Sequence, residues 1–396
     1  MSATYDVAIL GGGIVGRTLA LLLARERLRV ALVERASPAG AAAPDIRAYA
    51  LNAASRALLE SVRAWPADAQ AVTPVWHMWV ADADPVADPV ADPVADTAHL
   101  DAAAALRFDA DPAQRAPLAW IVDVPALEAT LAQAVAFQPG IERLRGDGST
   151  RPKAALTVIC EGRRSATRTA EGFAYETRPY PHTAVAARLH CERPHEGVAR
   201  QWFGGDDILA LLPLDGPQGR SVALVWSVPH ARAAALLAQS AEAFAASVQR
   251  ACGRALGAMH TQGQPAGWPL ELSVARPWVR PGLALAGDAA HAMHPLAGQG
   301  LNVGLADVAE LARVLREREY WRPLGDWRLL RRYERARAAP VAAMQAATDT
   351  LYGLFGSPDA RLTALRRWGL RAVDRLEPIK QWFIQQAAGE RIAPQP

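Results

Sequence analysis

The sequence predicts an α/β protein with a parallel-sheet unit at its start, an antiparallel sheet in its middle and a helical C-terminal region. Three observations carry that expectation. Residues 5–35 run strand, glycine turn, helix, strand. Residues 180–230 break into short strand-like segments separated by turn residues. From residue 303 onward the pattern is mostly helical.

In chain order, "YDVAIL" (5–10) is a buried strand, and "GGGIVG" (11–16) follows at once. "RTLALLLARERL" has helical apolar spacing, and "RVALVER" (29–35) is a second strand. Gly11, Gly13 and Gly16 stand in GxGxxG register, and Glu34 closes the second strand about twenty residues on, as a dinucleotide fingerprint requires. Gly11 permits the tight turn, Gly13 lets backbone approach a pyrophosphate, and Gly16 lets helix and strand pack closely. The helix start offers N–H groups to phosphate, and Glu34 can accept from ribose hydroxyls. The motif serves FAD and NAD alike.

"DIRAYALNAASRALLESVRAW" (45–65) is a loop leading into a helix that begins near Asn52. The tandem repeat "DPVADPVADPVAD" (84–96) is rich in proline, which excludes helix and interior strand, so an extended surface excursion without chemistry is expected. Residues 118–137 are a short strand and then a helix with Pro125 in its first turn. "ALTVIC" (155–160) is a buried strand that ends at "EGRRSATR". "TAVAARLH", "VARQWF", "ILALLPL" and "SVALVW" form the antiparallel sheet, residues 231–256 are helical, and "LELSVARPWVRPGLALAGD" returns to strand. The expected units are residues 1–75, 105–175 and 268–330 together, residues 76–104 with 176–267, and residues 331–396.

"GDAAHAMHPLAGQGLN" (287–302) follows that last strand. Asp288 stands at the carboxyl edge of the strand, where open α/β sheets place ligands. A carboxylate there suits a sugar-like hydroxyl chain. "LAGQGLN" leads into a helix expected to start near Val303, whose N–H groups and dipole would stabilise a group that becomes negative during turnover. A reduced isoalloxazine fits. The first motif would then hold the ADP end of FAD, and the second the ribityl chain and flavin.

The bulk numbers exclude several classes. The chain has 396 residues, 51% of them hydrophobic, enough for two or three structural units. Net charge is +3 with scattered arginines, and no basic stripe interleaved with aromatics calls for nucleic acid. Cys160, Cys191 and Cys252 lie far apart, so neither a metal site nor a disulfide framework is expected. The N-terminus lacks a basic region before its apolar run, no stretch approaches the ~20 apolar residues of a membrane span, and a cytoplasmic location is expected.

On GxGxxG at 11–16, "DIRAYALN" at 45–52 and "GDAAHAMHPLAGQGLN" at 287–302, the chain resembles the aromatic-ring hydroxylases, single-component FAD monooxygenases with the para-hydroxybenzoate hydroxylase fold. "GDAAHxxHPLAGQGLN", "ERPHEGVARQWF", "LALLPL", "VWS" and "LRRWGLRAVDRLEPIK" are most similar to the ubiquinone-biosynthesis hydroxylase branch. The resemblance implies a Rossmann-like FAD-binding domain and an antiparallel-sheet substrate domain. It implies that Glu34 binds the adenosine ribose with Arg35 beside it, that Arg47 lies beside FAD and the active site, and that Asp288 contacts the ribityl chain. Backbone of Gly298, Gln299, Gly300, Leu301 and Asn302 would line the flavin, and the Pro295 carbonyl would face the region where oxygen adds. Arg47, Pro295 and His294 are the implied catalytic candidates, with no base assigned. His291 is expected to hydrogen-bond the loop structurally.

The implied reaction hydroxylates a polyprenylated phenol, using NADPH or NADH and O2 through a flavin C4a-hydroperoxide. With no second GxGxxG, the nicotinamide cofactor would visit without a Rossmann unit of its own. The alternatives are a hydroxylase of a small soluble phenol, or a catalytically impaired FAD-binding accessory subunit of the same pathway. The last rests on Glu161, which stands where relatives carry aspartate in DGxxSxxR and is also a cofactor-binding candidate, and on a short segment before it that leaves no room for the usual β-meander. Finally, residues 361–389 place Leu362, Leu365, Trp368, Ala372, Leu376, Ile379 and Phe383 near one helical face flanked by arginines. Such a face packs on its own domain or lies on an anionic bilayer. Peripheral contact with the inner membrane, or with a ubiquinone-biosynthesis assembly, would suit a polyprenyl substrate.

Overall fold

A computed structural model describes residues 5–35, 45–82, 105–110, 116–146, 151–204, 206–293 and 299–355. The 84–96 repeat, the 361–389 segment and the positions His294, Pro295 and Gly298 lie outside the described residues.

The first sheet has six strands. Its core is β1 (Tyr5–Leu10), parallel to β2 (Val30–Arg35) on one side and to β9 (Ala154–Ile159) on the other. β8 (Ile141–Gly146) extends it beyond β2, while β16 (Leu283–Leu285) and β15 (Val279–Arg280) extend it beyond β9. Continuous apolar runs build these strands because both faces are covered. Val7, Ile9, Leu32, Leu156 and Val158 are fully or almost fully buried. The helices α1 (Ile14–Arg25), α3 (Val124–Ala136), α7 (Gly300–Arg316) and α8 (Trp327–Phe355) share this core. Only residues 147–153 separate β8 from β9, too few for the usual meander.

A small sheet, β3 (Ala48–Leu51), β7 (Ala119–Asp123) and β4 (Val72–Val75), is antiparallel. Asn52 caps α2 (Ala53–Ser61) after β3, its side chain accepting from the Ser55 N–H at 2.8 Å. This is the start expected from the sequence.

The third sheet has eight strands in the order β17-β14-β10-β13-β12-β11-β5-β6. They are β5 (His77–Asp82), β6 (Ala105–Asp109), β10 (Ala174–Cys191), β11 (Val198–Gly204), β12 (Asp207–Pro213), β13 (Ser221–Pro229), β14 (Met259–Arg276) and β17 (His291–Ala292). All its pairs are antiparallel except β11 with β5. One face packs on α5 (His230–Leu237) and α6 (Ala241–Ala251) through Leu189, Leu224, Trp226 and Phe244.

Three expectations are corrected. β6, placed by sequence with the parallel unit, pairs β5 in the antiparallel sheet. β10 and β14 are each one 18-residue strand crossing the expected borders at 175/176 and 267/268. Register shifts at Pro179/Thr183 and Ala186/Arg188 let β10 continue past residues that look like breaks. The late helix starts at Gly300 rather than near Val303, because Gln299 already has helical φ/ψ.

Candidate functional site

The glycine turn lies between β1 and α1. Gly11 has φ of +116°, and a Cβ there would sit 2.4 Å from the Cys160 carbonyl oxygen, so only glycine lets β9 come this close. A Cβ on Gly16 would lie 1.9 Å from the Gly11 oxygen, which makes it the helix–turn contact. A Cβ on Gly13 would meet nothing within 4 Å. Gly13 opens α1 with no side-chain cap, so its first N–H groups face open space.

Glu34 ends β2 beside this turn. Its carboxylate accepts from Arg17 at 3.0 and 3.2 Å and from Arg143 on β8 at 2.8 Å. Burial pushes the carboxyl up, but the two arginines outweigh it and hold it below its ordinary range. Three of its lone-pair sites are taken and one remains for a hydroxyl. Neither arginine was singled out in the sequence. The register that sets Leu32 opposite Arg143 brings the second one in.

Glu161 follows β9, and its carboxylate folds onto its own loop. It accepts from Ser165 Oγ at 2.7 Å, Thr167 N–H at 3.2 Å and Thr167 Oγ1 at 3.0 Å. Ser165 in turn caps α4 (Ala166–Ala170). Arg35 reaches Glu161 at 3.9 Å with its side chain largely exposed.

The second motif converges on the same place. Asp288 sits in a 3-10 turn (Gly287–Ala289) after β16. The residue is exposed to solvent, yet protein surrounds its carboxyl on enough sides to raise it above its ordinary range, against the pull of His291, Arg163 and Arg47. Exposure together with crowding is the mark of a carboxylate lining a cleft. Two side chains hold the turn. Tyr175 Oη donates to the Asp288 carbonyl at 3.0 Å, and Arg168 donates to the Ala289 carbonyl at 3.1 Å. Arg168 also lies 3.4 Å over the Tyr175 ring, tying the two together.

Behind the turn, Asp307 of α7 is fully buried and accepts from three directions. His291 Nε2 lies at 2.6 Å, Arg337 Nε at 2.8 Å and Gly287 N–H at 3.1 Å. Burial raises the Asp307 carboxyl, but His291 and Arg337 outweigh it and hold it low. His291 is therefore a structural tie.

α7 itself starts without a side-chain cap. A Cβ on Gly300 would meet nothing within 4 Å. Asn302 is buried and ties this start to the β3–α2 junction, donating to the Ala50 carbonyl at 2.9 Å and accepting from Asn52 N–H at 3.1 Å and Ser55 Oγ at 2.7 Å. Val15, in the first turn of α1, lies 3.3 Å from where a Gly287 Cβ would be and 3.1 Å from a Gly304 Cβ. The two uncapped helix starts and the Asp288 turn thus meet around one valine.

Arg47 borders this region from the β3 side. Asp45 grips it with bonds of 2.6 to 3.1 Å, and it reaches Tyr49 Oη at 3.4 Å. Arg188, on β10, donates to the Ile46 carbonyl at 3.2 Å and pairs with Asp123, so the large sheet anchors the Arg47 loop. Tyr175 and Arg188 could not be assigned from sequence, since β10 read as a shorter strand, whereas Arg168 is the arginine of the DGxxSxxR pattern. Among the described residues no group of His, Cys, Asp and Glu side chains is arranged to hold a metal ion.

Comparison with known proteins is consistent with this geometry. The FAD binding domain family matches residues 4–348. The chain is 33% identical over 404 residues to the ubiquinone hydroxylase UbiL of Rhodospirillum rubrum, covering 99% of this chain and 91% of that one. It is 30% identical to the 3-demethoxyubiquinol 3-hydroxylase of Escherichia coli, covering 97% and 98%. Among solved structures, p-nitrophenol 4-monooxygenase PnpA of Pseudomonas putida superposes with a TM-score of 0.71 at 18% identity, covering 99% of this chain and 100% of that one. At that identity the likeness speaks for the fold.

Proposed function

The chain belongs to the FAD binding domain family, and from that premise we propose that it is an FAD-dependent monooxygenase hydroxylating the ring of a polyprenylated phenol in ubiquinone synthesis. The observation that carries the reading is the match, over nearly the whole chain, to hydroxylases named for that pathway.

FAD fits the residues present. The open space before Gly13 and Gly300, the two uncapped helix starts and the crowded but accessible Asp288 carboxylate form one continuous cradle. In it, the turn of Gly11, Gly13 and Gly16 and the start of α1 hold the pyrophosphate. Glu34 accepts from the adenosine ribose and Asp288 from the ribityl hydroxyls. Backbone at Gln299, Gly300, Leu301 and Asn302 presents the α7 dipole to the flavin edge that gains negative charge. Arg35 and Glu161 close the pyrophosphate side. Arg47 borders the substrate. Gly298, Pro295 and His294 would take the roles their family motif implies. When bound, FAD supplies the electron transfer and oxygen activation. The protein orients the ring, keeps water out and places charge. NADPH or NADH is the reductant and O2 the other co-substrate. No helix among the described residues is long and apolar enough to cross a membrane. Peripheral contact with the inner membrane follows from the chemistry of the substrate.

The test is direct. The purified protein is titrated with FAD and then supplied with a polyprenylated phenol, O2 and NADPH or NADH. Mass spectrometry should show one added oxygen. A protein that refuses FAD, or binds it and adds no oxygen, overturns the reading. Stopped-flow flavin reduction separates an impaired accessory subunit, which would stay oxidised.

A further inference from the structure

The late helix α8 packs one face on the parallel-sheet core, and three residues of that face make polar contacts. Tyr333 Oη donates to the Leu285 carbonyl at 2.9 Å, Glu334 accepts from the Trp278 N–H at 2.8 Å, and Arg337 reaches α7. The first two stand four and three residues before Arg337, which puts all three side by side. The buried Tyr333 ring lies beside Trp278, and Trp278 lies beside His291.

Arg337 makes two contacts of different kinds. Its Nε donates to Asp307 Oδ1 at 2.8 Å and its Nη2 to the Val303 carbonyl at 3.3 Å. Its side chain is 11% exposed, and that of Asp307 is 0% exposed. The other Asp307 oxygen holds the Asp288 turn, accepting from the Gly287 N–H and from His291 Nε2. One guanidinium edge therefore braces the first turn of α7 through Val303 and the peptide just before Asp288 through Asp307. Among the described residues, none of these bonds touches the α1 turn. There the Gly11 N–H bonds the Val33 carbonyl, and Arg17 and Arg143 hold Glu34.

We infer that Arg337 is a positioning residue for the flavin half of FAD, acting through Asp307 and the head of α7, an inference that rests on the proposed function. A guanidinium suits the task. Its Nε and Nη2 hydrogens leave one planar edge in fixed directions, so a carboxylate and a carbonyl are held at a set spacing. An ammonium satisfies either acceptor without fixing that spacing. Backbone and carboxylate held by locked neighbours meet a ligand in a single arrangement. Tyr333 and Glu334 dock α8 independently, so loss of Arg337 frees the turn and the helix head without undocking α8. The cradle then has two halves held by separate residues, and a ligand that fills one half reports on that half alone.

The variants are Arg337→Met and Arg337→Lys. Flavin-free protein is titrated calorimetrically with FAD and, separately, with ADP, which would fill the α1 half only. Urea unfolding is measured alongside, and the lysine variant, which keeps a cation beside buried Asp307, carries the test if the methionine variant does not fold. FAD affinity should fall about tenfold or more with methionine and about threefold or more with lysine, while ADP affinity stays within about twofold in both. A merely structural role would weaken both ligands alike. Equal losses for the two ligands, no loss with methionine, full FAD affinity with lysine, or an ADP that does not bind by itself each overturns the inference. An unaltered protein that refuses FAD is a different result, and overturns the proposed function and this inference with it.

Discussion

At the scale of single residues, two carboxylates behave in opposite ways. Glu161 is committed to its own loop through three hydrogen bonds. Glu161→Ala leaves those donors unpaired and should cost about 1–3 kcal/mol of stability, measured by urea unfolding. Asp288 has the reverse character. Its carboxyl is raised in the folded protein, so its favourable contribution is full at low pH and is lost as pH rises through the folded value. Asp288→Asn should therefore flatten the decline in stability of the FAD-free protein above the ordinary carboxylate range. It should also weaken FAD binding about tenfold or more, because a charge-assisted hydrogen bond is replaced by a neutral one. Unfolding curves across pH check the first, and parallel slopes in the two proteins would contradict it. Glu34 and Asp307 are held low, so their contributions are instead lost as pH falls. The sequence pointed to Glu161 and Asp288 because each interrupts or completes a motif. It could not show what holds either residue, since Thr167 reaches the Glu161 carboxylate and Tyr175 the Asp288 backbone carbonyl only through the turns of the folded chain.

At the scale of elements, the glycines at the head of α1 divide into two kinds. Gly16→Ala drives a methyl group into the Gly11 carbonyl and should cost about 1–3 kcal/mol even without FAD. Gly13→Ala meets no neighbour and has φ of −79°, so the FAD-free protein should unfold within about 1 kcal/mol of the original. The same methyl would stand where the pyrophosphate approaches, so FAD titration should show the loss. A Gly13→Ala protein as unstable as Gly16→Ala would contradict this division. The βαβ start was legible because strand, turn and helix each follow their own period in an uninterrupted run. The long strands β10 and β14 were not. Pro179, Pro181, Gly263 and Pro265 punctuate them as turns would, and they lie at or inside the irregularities of the β10–β14 register, with pairing resuming on either side and Gly263 at a φ of +83°. The helix start at Gly300 was missed by three residues, because a glycine gives no apolar signal.

At the scale of the molecule, three sheets meet at one cradle. The small sheet joins the α7 start through Asn302, and the large sheet joins the Arg47 loop through Arg188. A ligand touching the heads of both α1 and α7 bridges distant parts of a single core. At a hundredfold excess over Kd, FAD should add about 2.7 kcal/mol to stability and raise Tm by roughly 3 °C, in one cooperative transition. Two transitions in calorimetry, with only one responding to FAD, would show that the cradle belongs to a single sheet. The broad division into parallel and antiparallel sheets was visible in composition and periodicity. How the strands are shared between sheets was not, because pairing of β6 with β5 is decided by contacts that no local pattern encodes.

The meeting of Gly287 and Gly304 around Val15 has a consequence for biosynthesis. A nascent chain emerges from the ribosome with its phosphate-binding turn early and the partner of that turn late. The vitamin-derived group therefore has no complete berth until most of the polypeptide has been translated. A product stalled before residue 287 should come off colourless.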